Sequence, residues 1–92
     1  MIVEQLGEVS LVKAHESDAG FDLKASQGYE LPSGKVTKIS TGVKLNIPKG
    51  YFGLVLDRSS MGLKGLKVMG GVIDSGYIGE IFVCLAALND TT

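Results

Sequence analysis

The chain has 92 residues, thirteen glycines, a single cysteine and a formal net charge of −1 from nine basic and ten acidic side chains. At this length it makes one domain at most, with a modest core of the kind that disulfides, metals or partner chains often complete. The balanced charge gives no electrostatic case for nucleic-acid or membrane binding, so any phosphate site must be local. Cys84 cannot form an internal disulfide, and its apolar setting, Ile81-Phe82-Val83-Cys84-Leu85, reads as a buried small hydrophobe rather than a reactive thiol. No segment reaches the ~20 apolar residues of a membrane span, and Met1 to Ser10 carries acids where a signal peptide would be basic and then apolar. Expected is a soluble protein of a reducing, intracellular and cytoplasmic setting.

Asp18-Ala19-Gly20-Phe21-Asp22-Leu23 comes first among the informative stretches. On a strand, Phe21 and Leu23 alternate with Asp22, which then faces away from the apolar side. One carboxylate there is chemically adequate for magnesium, which usually keeps several waters and takes one or two protein carboxylates plus substrate phosphates. The plainer alternative is an Asx-type turn at Asp18 and a solvated Asp22.

Val36-Thr37-Lys38-Ile39-Ser40 and Val43-Lys44-Leu45-Asn46-Ile47 alternate apolar and polar residues and predict two strands with one face buried. Pro32-Ser33-Gly34 and Pro48-Lys49-Gly50 punctuate them as turns. Tyr51 to Leu56 and Ile81 to Leu88 are nearly continuous apolar runs, expected between layers or against another subunit. The one helical expectation is a short turn over Ser59 to Leu63. Many short strands with glycine-rich turns predict an all-β, jelly-roll or barrel-like fold.

Asp57-Arg58-Ser59-Ser60-Met61-Gly62 follows an apolar strand and opens that helical turn. Free backbone N–H groups favour an anion there, and the Arg58 fork suits phosphate oxygens. Equally open is a structural use, with Ser59 or Ser60 as N-cap and Arg58 paired to Asp57.

Gly70-Gly71-Val72-Ile73-Asp74-Ser75-Gly76-Tyr77-Ile78-Gly79-Glu80 reads as a hairpin returning to a long strand from Glu80. Paired glycines let backbone approach a flat base, an aspartate can take a proton from water, and a tyrosine ring can pack on a sugar. An ordinary Asp-Ser-Gly turn beside a surface tyrosine accounts for the same residues.

Taken in order, Asp18 to Leu23, Arg58-Ser59-Ser60 and Gly71 to Glu80 resemble the first three of the five motifs of trimeric deoxyuridine triphosphatases (dUTPases). The likeness extends through Ile39-Ser40-Thr41-Gly42-Val43 and Ile47 to Leu54, and so over nearly the whole chain. It implies an all-β distorted jelly roll of the β-clip type, and a homotrimer whose active sites are shared between subunits. The reaction implied is hydrolysis of dUTP to dUMP and pyrophosphate, which keeps uracil out of DNA. Asp74 would be the general base that activates a water for attack on the α-phosphate. Tyr77 would pack under the deoxyribose and reject a 2′-hydroxyl by clash. Backbone groups from Val68 to Gly71 would read uracil. Arg58, Ser59 and Ser60 would contact the phosphates, and Asp22 would hold a magnesium-bound water, the Mg2+ being chelated mainly by the triphosphate.

Three features depart from that pattern. Ile78 replaces a polar residue, often arginine, Ser60 stands where glycine is frequent, and no fourth or fifth motif follows Asn89-Asp90-Thr91-Thr92. The resemblance therefore implies a single domain over 1–92, truncated at its C-terminus, and weak or no activity for these 92 residues alone. Two other readings stay open. One is a noncatalytic nucleotide-binding or regulatory module; the other is a dCTP deaminase relative, disfavoured because the Asp-Ser-Gly-Tyr-Ile-Gly-Glu turn fits the hydrolase more closely.

Overall fold

The computed structural model describes residues 3–13 and 15–90. Thr91 and Thr92 of the expected terminal loop, and Met1 and Ile2 of the N-terminal segment, lie outside them. Strands β1 (Glu4–Leu6), β2 (Val36–Asn46), β4 (Leu66–Val68) and β6 (Glu80–Ala87) form an antiparallel sheet in the order β1-β2-β6-β4. A second, two-stranded sheet joins β3 (Gly53–Leu54) to β5 (Val72–Ile73). The short helix α1 spans Ser59–Leu63, as its sequence predicts.

The two strands expected at Val36–Ser40 and Val43–Ile47 are one. β2 runs for eleven residues and places Ile39, Thr41, Val43 and Leu45 inward by its period of two, with Ile47 continuing the same face just beyond its end. Val36 stands an odd number of positions from Ile39 and is turned outward. The join is an irregularity: Ser40 pairs with Phe82 but Lys44 with Glu80, so β2 carries two more residues than β6 across the same stretch. Gly42 absorbs the bend with φ of +71°, a backbone region that side chains disfavour. Thr41 satisfies its buried hydroxyl there by donating to the Ile81 carbonyl at 2.6 Å and accepting from the Val43 N–H at 3.2 Å.

Two apolar clusters lie on the inner face. Leu31, Ile39, Leu66 and Ala87 form one, and Val43, Leu45, Ile47 and Ile81 the other. Both predicted proline turns close, with Lys35 N–H donating to the Pro32 carbonyl and Tyr51 N–H to the Pro48 carbonyl.

The apolar runs are less covered than their composition predicts. Tyr51, Phe52, Leu54 and Leu56 are all exposed, Leu56 to 71%. In β6 only Ile81 and Ala87 are buried, whereas Phe82 is exposed and Cys84 is a half-buried free thiol rather than a core residue. These runs instead line an open apolar groove of about 590 Å³ between the layers, walled by Leu45, Ile47, Phe52, Leu54, Ile81 and Leu85 among others. An alternating or continuous apolar pattern specifies a face that wants cover; it does not supply the covering layer.

Candidate active site

The first acidic segment divides its two carboxylates between different tasks. Asp18 accepts the His15 N–H at 3.0 Å through Oδ2 while its own N–H donates to the His15 carbonyl, so it serves a local turn. Asp22 is paired by a single bridge to Val12, its N–H donating to the Val12 carbonyl at 2.8 Å. That pairing turns its side chain to Arg58, whose Nη1 lies 3.4 Å from Asp22 Oδ1. Phe21 does not share the inward side with Leu23; it is exposed, with Lys13 Nζ 4.9 Å from its ring centre. Among the described residues no group of three or more His, Cys, Asp or Glu converges on a metal position. Asp22 alone fits an ion whose remaining ligands are waters or substrate oxygens, not a protein cage.

Arg58 and Ser59 sit where chain leaves the β3 region and enters α1. The N-cap of α1 is Arg58, in extended conformation at φ −87° and ψ 144°, and no side chain caps the helix. The serines are therefore not N-caps. Both are exposed in the first turn, ahead of the first helical bond from Gly62 N–H to the Arg58 carbonyl at 2.9 Å, where backbone donors lack helical partners. Arg58 does not pair with Asp57. Asp57 Oδ1 accepts the Val68 N–H at 2.6 Å and Oδ2 accepts Lys67 Nζ at 3.0 Å. The Val68 N–H, and after it Lys67, hold the Asp57 carboxyl below the usual carboxylate range.

Beyond β4, Gly70 and Gly71 take φ of +94° and +126° and carry the chain from the large sheet to the small one. A Cβ on Gly71 would stand 2.7 Å from the Val55 carbonyl oxygen, so glycine is required by space as well as by φ. Val55 N–H donates to the Gly71 carbonyl at 2.8 Å and extends the β3–β5 pairing. The segment after the glycines is thus not the hairpin that its sequence predicts. β5 pairs with β3, and the Asp74–Tyr77 turn, closed by Tyr77 N–H to the Asp74 carbonyl at 3.2 Å, crosses back to the other sheet at Glu80.

Asp74 and Tyr77 lie in that one turn, and both are exposed. The Tyr77 hydroxyl donates to the Glu80 carbonyl, which pins the ring across the turn. Glu80 is itself anchored, accepting a short hydrogen bond from Ser40 Oγ and a longer one, 3.3 Å, from the Gly42 N–H. The Ser40 hydroxyl is the main cause of a Glu80 carboxyl held below its ordinary range. Asp57 and Glu80 stand inside segments that the sequence singles out, but their partners Val68, Lys67 and Ser40 lie ten or more residues away and carry no local signal. The structure joins Asp22 to Arg58, and Gly71 to the β3 extension. No hydrogen bond or ion pair among the described residues joins Asp74 to Asp22, Arg58 or Ser59.

Fold and loops together define an all-β protein of the jelly-roll class, bearing an acid–arginine pair, a serine-rich helical turn and an exposed aspartate–tyrosine turn. A family model described as dUTPase matches residues 9–92, and the chain belongs to the dUTPase family. It is similar to the deoxyuridine 5'-triphosphate nucleotidohydrolase of Mycolicibacterium gilvum (strain PYR-GCK), with 42% identity over 83 residues, 87% of this chain and 54% of that protein. The chain thus spans about half the length of this curated relative. Among solved structures it resembles a D95N mutant dUTPase from phage phi11 of S. aureus, described for its coordination of a structural Mg(II) ion, with TM-score 0.82 and 31% identity over 96% of this chain and 60% of that one. It also resembles the dUTPase of Staphylococcus bacteriophage 80alpha with dUpNHpp, with TM-score 0.82 and 30% identity over 96% of this chain and 54% of that one. The latter work describes phage dUTPases as controlling transfer of virulence genes.

Proposed function

We propose that this chain carries the base-reading, sugar-gating and water-activating part of a dUTP diphosphatase, which converts dUTP to dUMP and pyrophosphate. The observation that carries the reading is the exposed Asp74–Tyr77 turn, braced by Tyr77 on Glu80 directly after the Gly70-Gly71 crossing. Asp74 orients and deprotonates the attacking water, acting as general base toward the α-phosphate. The Tyr77 ring underlies the deoxyribose and leaves no room for a 2′-hydroxyl, so ribonucleotides are rejected sterically. Backbone groups of Val68 to Gly71 pair with the uracil edge. Cytosine is refused because it would leave buried donors and acceptors unmatched.

Arg58, Ser59 and Ser60 take the phosphates, offering a guanidinium, hydroxyls and first-turn N–H groups to charge that grows as pyrophosphate leaves. Asp22 suits a magnesium ion only through water, as its lone carboxylate and its pairing with Arg58 imply. When bound, Mg2+ would neutralise triphosphate charge; Asp22 would orient its water, and Arg58 would exchange its carboxylate partner for phosphate oxygens. A homotrimer with shared sites is part of the proposal. The exposed turn of Asp74, which no hydrogen bond or ion pair among the described residues joins to Arg58, supports a site completed by another subunit.

Product assays for pyrophosphate and ammonia with dUTP and dCTP test the reading. Pyrophosphate from dUTP, abolished in Asp74→Asn, supports it; ammonia from dCTP would place the chain with the deaminases instead. A noncatalytic, regulatory reading is favoured by one observation, the regulatory role described for the phage dUTPases. Under that reading Asp74→Asn keeps partner binding.

A further inference from the structure

Asp57 is an acid placed directly before the arginine assigned to phosphate, where its charge opposes an anionic ligand. Its geometry gives it another task. Oδ1 accepts the Val68 N–H at 2.6 Å and Oδ2 accepts Lys67 Nζ at 3.0 Å, so both oxygens are turned away from Arg58 and toward the end of β4. Two residues earlier in the chain, Val55 N–H donates to the Gly71 carbonyl at 2.8 Å, and the approach is close enough that a Cβ on Gly71 would stand 2.7 Å from the Val55 carbonyl oxygen. The stretch from Val55 to Asp57 is therefore stitched at both ends to the stretch from Lys67 to Gly71. Arg58 is the next residue and is also the extended N-cap of α1.

We propose that Asp57 is a positioning residue that fixes the phosphate-contacting Arg58-Ser59 arm at a set distance from the uracil-reading Val68–Gly71 backbone. The inference rests on the dUTP reading above. Its physical basis is that the arm has no side-chain cap and no fully buried residue in α1: within the helix the half-buried Met61 packs against the Leu31, Ile39, Leu66 and Ala87 cluster, and nothing there fixes the Arg58 end. The Asp57 carboxylate supplies that definition with one short charge-assisted bond to backbone and one ion pair. Lys67 offsets the charge that Asp57 would otherwise present to a triphosphate. Losing the carboxylate frees the arm without touching the glycine crossing, which Val55 holds independently. A base and its sugar should still bind, whereas a triphosphate tail should find its donors displaced.

The test is calorimetric titration of wild type, Asp57→Ala and Asp57→Asn with dUMP and with the non-hydrolysable dUpNHpp in the presence of Mg2+. Circular dichroism and thermal melts establish that each variant is folded. Expected is a tenfold or greater loss of dUpNHpp affinity in Asp57→Ala, with dUMP affinity within twofold of wild type. Asp57→Asn, whose amide oxygen still accepts the Val68 N–H, should recover most of the loss. Unchanged dUpNHpp affinity in folded Asp57→Ala overturns the inference, and so does a parallel loss for both ligands, which a merely structural role would produce. A wild-type chain that binds neither nucleotide overturns the dUTP reading itself and the inference with it.

Discussion

The Tyr77 hydroxyl donates to the backbone carbonyl of Glu80, three residues on, and so closes the turn that carries Asp74 from the far side. The contact is tight: a Cβ on Gly79 would come within 3.0 Å of that hydroxyl. Tyr77→Phe removes the bond while keeping the ring. In this exposed turn the loss should be about 0.5–1 kcal/mol, the low end for a hydrogen bond. Urea denaturation of the two proteins measures it, and equal midpoints would show that the bond does not brace the turn.

Gly71 has no tolerable replacement. At φ +126°, with the Val55 oxygen 2.7 Å from the Cβ position, alanine meets both strain and backbone collision. Gly71→Ala should cost roughly 2–4 kcal/mol, combining a strained residue with loss of the Val55–Gly71 bond. Gly28, whose Cβ position is open and whose φ is ordinary, is the control; Gly28→Ala should be close to neutral. Equal denaturation midpoints for the two variants would refute the packing argument.

Glu80 sets a pH dependence. Its carboxyl is held below the ordinary range chiefly by the Ser40 hydroxyl, with the Gly42 N–H adding to this. The folded state therefore favours the ionised form. The stabilisation is fully present above the unfolded glutamate value, near pH ~4.3, and is lost as pH falls through the lower folded value. Glu80→Gln cannot titrate, so the stability gap between wild type and variant should be constant above about pH 5.5 and narrow below about pH 4. A gap independent of pH from 3 to 7 would contradict this.

The Arg58 guanidinium is 65% exposed against 23% for the half-buried Asp22 side chain, so their ion pair matters little to folding. Asp22→Asn should change stability by less than about 1 kcal/mol. Its effect belongs on ligand binding, where the variant should lose most of the magnesium dependence of dUpNHpp affinity. Titrations with and without Mg2+ decide the matter, and a full magnesium response in Asp22→Asn would remove Asp22 from the metal's surroundings.

The groove between the layers is apolar, open and about 590 Å³ in volume. A polypeptide of these residues alone should enhance the fluorescence of the dye ANS in the folded state. Leu54→Lys, at a side chain 56% exposed on the groove wall, should lower that signal with a stability change under about 0.5 kcal/mol. Undiminished fluorescence in the variant would place the dye elsewhere.

Some of this was legible in residue order alone. Period-two alternation over Val43 to Ile47 marks an inward face, the proline–glycine pairs mark closed turns, and Ser59 to Leu63 marks the helix, because each depends on neighbours within a few residues. Likewise, Asp18 to Leu23, Arg58 to Ser60 and Gly71 to Glu80 in sequence sufficed to indicate the dUTPase family that the comparisons establish. Partner choice over long separations was not legible. Sequence proximity offered Asp57 as one of two uses for Arg58 and predicted β5 with β6, whereas the structure pairs Arg58 with Asp22 and β5 with β3. Asp57 and Glu80 are explained only by Val68 and Ser40, eleven and forty residues away. Local pattern specifies which face of a segment is apolar and which residues can bear charge. Which segment meets that face, and which charge is answered, is decided when the sheets close, since a strand's hydrogen-bonding edge is satisfied equally well by any partner that arrives in register.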